Sequence, residues 1–318
     1  DGSYELPLPS AGRWNVSFRS EGGASTSRSI DVPPGPSYAL DVDLPNGKLA
    51  GRVVDRAGAG VARQNVWIVL EAGTPRGDRP STTGQATSAA DGRFSVEGLA
   101  PGTYEARVTQ FNLANESRYG SARVGGVVVP ETGSAKEVVI VLDLAGTITG
   151  TLVGADGLPR TGADVRAVRV DGGGADTQMG RTDSNGTFKI AGLAPGTWEV
   201  HASSGREVAA AAPRVEVRSS ASTEVRLTLV VGGNVVVRAF DSEGKAVGAW
   251  CRVVDERGTD HASFSMQRVD RGAGTSSPEV RYGPLAPGRY TVSTKNRDGA
   301  EASAEATITS GGETSVEL

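Results

Sequence analysis

The sequence predicts an all-β fold: seven-stranded β-sandwich domains in tandem, forming a semi-rigid rod. Three observations carry this. A Gly or Asn turn, a strand, a Pro-Gly corner and a strand headed by an aromatic recur four times, as DGSYELPLPSAGRWNVSF from Asp1, DGRFSVEGLAPGTYEARV from Asp91, NGTFKIAGLAPGTWEVHA from Asn185 and PEVRYGPLAPGRYTVST from Pro278. The corner glycines Gly12, Gly102, Gly196 and Gly288 are spaced by 90, 94 and 92 residues, the length of one small sandwich and too long for a solenoid repeat. Glycine makes up 44 of 318 residues and aromatics only 5%, which suits short strands, tight turns and thin cores.

Element by element, the first complete bead opens near Gly47. Residues 51–62 read as a strand and a turn, 64–72 as an alternating strand and 85–89 as a third. Strands at 93–97, 103–110, 121–129 and 136–144 complete about seven. The second bead repeats the order from Gly146, with 147–157, 163–170 and a last strand at 222–231; the third runs from Gly232 through 234–244 and 249–256 to Leu318. Apolar residues never hold a 3.6-residue period over three turns, so helix is expected to be absent or a single turn. The expected boundaries are 1–46, an incomplete C-terminal half of a repeat, then 47–145, 146–231 and 232–318. Linkers of two to five residues are too short for free rotation.

Residues 1–46 hold counterparts of only the last four strands, at Tyr4 to Leu8, after the corner at Trp14, near Ser27 to Val32 and at Tyr38 to Leu44. Half a sandwich would leave Leu6, Trp14, Val16 and Leu40 wet and strand edges unpaired. The missing strands are therefore expected from an upstream part of the same polypeptide or from another copy of the chain by strand addition.

Composition excludes several functions. Thirty-seven acidic and 33 basic residues are well mixed, giving a net charge of −4 with no like-charge block, so nucleic acid is not an expected partner. No apolar run is long enough to span a bilayer, and a lone Cys251 precludes an intrachain disulfide framework. Arginine outnumbers lysine 28 to 5, a bias associated with GC-rich bacterial genomes. No HExxH, CxxC, GxSxG, Walker or GxGxxG element accompanies His201, His261 or Cys251, so neither catalytic residues nor a cofactor or metal site is expected.

Among candidate ligand residues, the corner aromatics Trp14, Tyr104, Trp198 and Tyr290 share one repeated slot and are assigned to the core. Trp67 and Trp250 differ. The register that buries Val66, Ile68 and Leu70 turns Trp67 outward, and the one that buries Cys251 and Val253 does the same to Trp250. An outward indole can stack on a sugar ring, although packing against a neighbouring bead or loop is the commoner use. The acidic turns at Asp183 and Asp241 read as Asx turns rather than calcium loops. Arg76-Gly77-Asp78 and the sequons at Asn15, Asn115 and Asn185 read as chance occurrences.

The pattern GxVxDxxGxxV at 51–61, followed by the DG or NG turn, an alternating strand and LAPGTY or LAPGTW, resembles the carboxypeptidase regulatory-like domain. That module is similar to transthyretin-like, Ig-like, starch-binding-like and Cna B-type sandwiches, and the resemblance extends over all three full beads and the opening half. It implies a non-catalytic accessory role: an extracellular or cell-surface structural or adhesive repeat, as a stalk or fibre segment. Carbohydrate binding through Trp67 or Trp250, or service as the accessory region of a larger secreted enzyme, is the alternative. Cna B-type relatives carry a Lys–Asn isopeptide bond promoted by an acid four residues after the corner aromatic; here those positions are Val108, Ala202 and Thr294, and no cross-link is expected.

Overall fold

The computed structural model describes residues 3–71, 81–110, 117–131, 135–170, 176–241, 243–248, 250–262, 266–268, 279–295 and 301–318. The chain forms two compact units that divide between Ala145 and Gly146. It is all-β; among the described residues helical geometry is confined to Ala262.

The first unit contains β1 (Gly12–Arg19), β2 (Ala24–Val32), β3 (Gly47–Asp55), β4 (Asn65–Leu70), β5 (Ser81–Thr87), β6 (Arg93–Leu99), β7 (Gly102–Val108), β8 (Ala122–Val129) and β9 (Val138–Leu142). One sheet has the order β6-β3-β9 and the other β1-β2-β5-β4-β7-β8. Alternation places Leu49, Val53, Val66, Ile68, Val96, Tyr104 and Ile140 between them, all fully buried. Leu70, expected inside, is only partly buried at the rim of this core.

The second unit holds two further cores. Around the first lie β10 (Gly146–Val153), β11 (Asp164–Arg169), β12 (Thr177–Arg181), β13 (Thr187–Leu193), β14 (Gly196–Ser204), β15 (Glu207–Ala209), β16 (Arg214–Val217) and β17 (Ser222–Val231). They enclose Ile148, Leu152, Val165, Ile190, Trp198, Val200 and Leu229. The short β15 pairs with both β14 and β17, so the two layers are joined into one hydrogen-bonded sheet, an eighth strand beyond the expected seven. Around the last core lie β18 (Gly233–Phe240), β19 (Ala246–Val247), β20 (Cys251–Asp255), β21 (Met266–Arg268), β22 (Glu279–Leu285), β23 (Gly288–Lys295), β24 (Glu301–Ile308) and β25 (Glu313–Glu317), enclosing Val235, Val253, Tyr282, Val292 and Ile308.

One arrangement is common to all three cores. The opening strand is flanked on one side by the strand of the DG-type turn, antiparallel, and on the other by the closing strand, parallel: β3 with β9, β10 with β17, and β18 with β25. The register slips at the same place in each opening strand, at Gly47/Lys48, Gly146/Ile148 and Gly233/Val235.

The first 46 residues differ from expectation. Only two of the four anticipated strands form, because residues 3–8 and 38–44 make no ladder. The β1–β2 hairpin adds to the next sheet, β2 pairing with β5 from Ala24 opposite Gly84 to Ser27 opposite Ser81. The Glu97 N–H donates to Gly22 O at 2.8 Å, and the Gln85 N–H to Gly23 O at 3.0 Å. One edge of the hairpin is thus satisfied within the chain, and Ala24 enters the first core. The hairpin's apolar face, with Trp14, Val16, Phe18 and Ile30, stays only half-buried, and Tyr4, Leu6, Leu8, Tyr38 and Leu44 are exposed.

The corner aromatics obey one rule. Each reaches back four residues to a carbonyl oxygen: Trp14 Nε1 to Ser10 O at 3.1 Å, Tyr104 Oη to Ala100 O at 2.7 Å, Trp198 Nε1 to Ala194 O at 2.8 Å and Tyr290 Oη to Ala286 O at 2.8 Å. Three are buried; Trp14 is the exception, because burial of the hairpin is confined to the start of β2, at Ala24 and Thr26.

Candidate functional site

Trp67 lies in β4 between Val66 and Ile68, both fully buried, and the pleat turns its ring to the other face, where it is 38% exposed. Gln85 of β5 stands opposite it on one side and Arg107 of β7 on the other, with Arg123 of β8 opposite Arg107. The next row adds Thr83, Ser25 and Arg19, brought in by the hairpin. Gly23 adopts φ +89°, and a Cβ there would lie 2.4 Å from Gln85 O. Gly23 thus lets the hairpin backbone pack closely on β5, and a groove beside the indole is lined by Arg19, Ser25, Trp67, Thr83, Gln85 and Thr87. On the far side of the ring, Arg107 and Arg123 each approach the Glu105 carboxylate to 3.9 Å, beyond hydrogen-bond range, so one acid faces two guanidinium groups.

Trp250 precedes β20 in the second unit and is 73% exposed; its carbonyl oxygen accepts a bond from Thr294 Oγ1 at 2.9 Å. Cys251 beside it is buried, and burial raises its thiol pKa above the ordinary value, the environment of an inert sulfur. Val108 and Ala202, at the positions of the cross-link acid, are core residues. At Asp183 one carboxylate oxygen accepts the Asn185 and Thr187 N–H groups at 2.8 and 2.9 Å, and Asp241 likewise accepts those of Glu243 and Lys245 at 3.0 and 2.9 Å. These are Asx turns. Arg76, Gly77, Asp78 and Asn115 lie outside the described residues.

Sequence reasoning missed one polar cluster. The chain has two histidines, and they meet in the second unit with ring centroids 5.7 Å apart and planes at 83°. His201 Nε2 is 3.0 Å from Glu199 Oε1, whose other oxygen accepts Arg214 Nε at 2.9 Å. His261 Nε2 is 3.1 Å from Asp255 Oδ2, and its ring meets Tyr290 edge-on at 5.6 Å. Burial alone would raise the Glu199 carboxyl, but its bonds to His201 and Arg214 prevail and hold it at about 2. Glu199 and His201 share a β14 face two residues apart, the one local signal the sequence carried. A small cavity between the second and third cores, reaching Ala209 on one side and Pro287 on the other, is lined by both imidazoles. Across that joint the two imidazole rings meet, while each carboxylate partner belongs to its imidazole's own core. Among the described residues no group of three or more His, Cys, Asp or Glu side chains is placed to hold a metal ion, and no helix is long and apolar enough to cross a membrane.

The repeated sandwich, its parallel closing strand and its bonded corner aromatic define a module. The profile of the carboxypeptidase regulatory-like domain matches residues 48–142 and again 147–230, more than half of the chain. The chain belongs to this family. The matched regulatory-like repeats coincide with the first two cores; the third and the N-terminal hairpin lie outside both matches. No curated protein matches the sequence. Solved structures that it resembles include the minor pilin GBS52 of Streptococcus agalactiae, at 15% identity over 57% of this chain and 95% of that one, with a TM-score of 0.32. Another is the major pilin subunit BcpA of Bacillus cereus, at 10% identity, 86% and 99% coverage and a TM-score of 0.22. A leucine-rich repeat protein of Bacteroides thetaiotaomicron is also similar, at 13% identity, covering 55% of this chain and 26% of that one, with a TM-score of 0.26.

Proposed function

We propose that this chain is a non-catalytic, tension-bearing segment of a bacterial surface protein, a stalk or fibre piece built from sandwich repeats at 47–145, 146–231 and 232–318. The supporting observation is the parallel pairing of opening and closing strands around all three cores, over five, seven and five residue pairs. Tension enters such a bead at the start of its first strand and leaves at the end of its last. Because those two strands lie side by side and parallel, the pull runs along the ladder, and its hydrogen bonds must yield together. An antiparallel hairpin pulled at its open end gives way one bond at a time instead. Titratable side chains contribute to this reading by what they do: Asp183 and Asp241 close turns, and His201 and His261, each paired with a carboxylate of its own core, meet at the joint and line its small cavity.

The same reading makes the exposed Tyr4, Leu6, Tyr38 and Leu44 the surface where a second copy of the chain packs. Trypsin treatment of intact source cells tests the location: release of fragments of this chain into the medium is expected, and protection until lysis overturns it. Sedimentation that stays monomeric at the highest soluble concentration would overturn self-packing.

A further inference from the structure

We propose that the outward face of the first unit's larger sheet, centred on Trp67, binds an acidic polysaccharide, with one sugar ring stacked on the indole and its carboxylate held by the flanking arginines. This is separate from the structural role proposed above and stands or falls without it. Trp67, 38% exposed on a sheet face, leaves part of a flat apolar ring open between Gln85 and Arg107, which point the same way from adjacent strands. Stacking supplies affinity but no choice of ligand; polar groups around the ring supply that.

Those groups are hydroxyls and an amide on one side, Ser25, Thr83, Thr87 and Gln85, in the groove beside the indole. They suit the hydroxyls of a pyranose. Arg19 lines the groove, while Arg107 and Arg123 follow on the adjacent strands of the same face, beside Glu105. The Arg107 side chain keeps about a third of its surface exposed, at 33%, so its guanidinium can meet a ligand carboxylate at the ring edge. A hexuronic acid combines the apolar ring face, the hydroxyls and the carboxylate that this surface can use. Single-stranded nucleic acid also stacks on aromatics beside arginines, but it requires successive rings and a basic track, and here one ring is accompanied by Glu105 within a chain of net charge −4.

The test is calorimetric titration of the full chain with hexagalacturonate, with cellohexaose and a dT oligonucleotide as comparison ligands. Hexagalacturonate should bind and cellohexaose more weakly. Trp67→Ala should weaken hexagalacturonate at least about tenfold, as loss of a central aromatic anchor does. Arg107→Ala should weaken it and flatten its salt dependence, and Trp250→Ala, in the other unit, should leave it unchanged. Trp67 is exposed, so an unaltered melting temperature confirms that its variant is folded. No binding of hexagalacturonate at millimolar concentration, equal binding of cellohexaose, tighter binding of the oligonucleotide, or a Trp67→Ala protein that binds as well as the parent each overturns the proposal.

Discussion

Replacing Tyr104 by Phe removes one oxygen from the centre of a closed circuit. The Tyr104 hydroxyl donates to Ala100 O at 2.7 Å and is itself bonded to Thr82 Oγ1, which accepts the Ala100 N–H at 3.2 Å. Tyr104 is fully buried and Thr82 is 1% exposed, so water cannot replace the lost phenol. The buried Ala100 carbonyl then loses its phenol donor, and the Thr82 hydroxyl keeps only the Ala100 N–H, at about 1–3 kcal/mol for each bond so lost. Allowing for relaxation, the loss is about 2–3 kcal/mol. A unit of this length shifts by about 3 °C per kcal/mol, so one calorimetric transition of the full chain should fall by about 6–9 °C. Trp14 provides the internal control. Its indole makes the equivalent bond to Ser10 O, but on a half-buried surface where solvent can take over, and Trp14→Phe should cost less than about 1 kcal/mol. A Tyr104→Phe protein melting within 1 °C of the parent, or a Trp14→Phe protein losing as much, would refute the view that the corner bond stabilises by satisfying buried groups.

Other consequences follow from the same structure. Glu199 titrates at about 2 in the fold against an ordinary 4.5, so its stabilisation is complete above pH 4.5 and is lost as pH falls from there through 2. It amounts to at most about 3 kcal/mol. Glu199→Gln should flatten that acid limb in urea midpoints taken between pH 2 and 7, and an unchanged limb would exclude Glu199 as its source. Gly51 and Gly150 occupy equivalent positions, where a Cβ would stand 2.3 Å from Val138 O and 2.0 Å from Val225 O with a Phe ring on the other side. Alanine at either should cost more than about 3 kcal/mol, whereas Gly58→Ala, at φ +83° in open space, should cost about 1 kcal/mol; equal losses in chemical denaturation would show that crowding is not the cause. Cys251 should resist a water-soluble thiol reagent in the native protein and react at once in denaturant, and fast native labelling would contradict its burial.

Much of the architecture was legible because it is local and repeated. Corner glycines 90 to 94 residues apart gave the bead length, and alternation around Trp67 and Cys251 gave the correct outward and inward faces. What escaped is non-local. The sequence pattern places the third strand at 85–89, but it runs from Ser81 to Thr87, because a Thr-, Gly- and Gln-rich strand has no apolar contrast to fix its ends. Nothing in residues 24–27 names β5 as their partner, since a polar Ser/Thr ladder pairs by backbone alone. β21 was equally hidden: it pairs with β22, whereas the corresponding β5 and β12 pair with β4 and β11. His201 and His261 are brought together by the joint between two cores, and the candidate face around Trp67 needs four strands and the hairpin before Arg19 and Arg107 flank one ring.

The most direct test of the load-bearing account is to hold single molecules by their two ends and stretch them. The parallel closing strands predict three separate unfolding events, each releasing roughly 300 Å of chain for about 90 residues at ~3.5 Å each, preceded by easy peeling of the β1–β2 hairpin. Joining the handles instead to a cysteine at Ala246 and to Leu318 would pull β18 and β25 in another geometry and should lower the force for the last bead. One event releasing the whole chain, or a last bead that yields at the same force in both pulling geometries, would contradict the account.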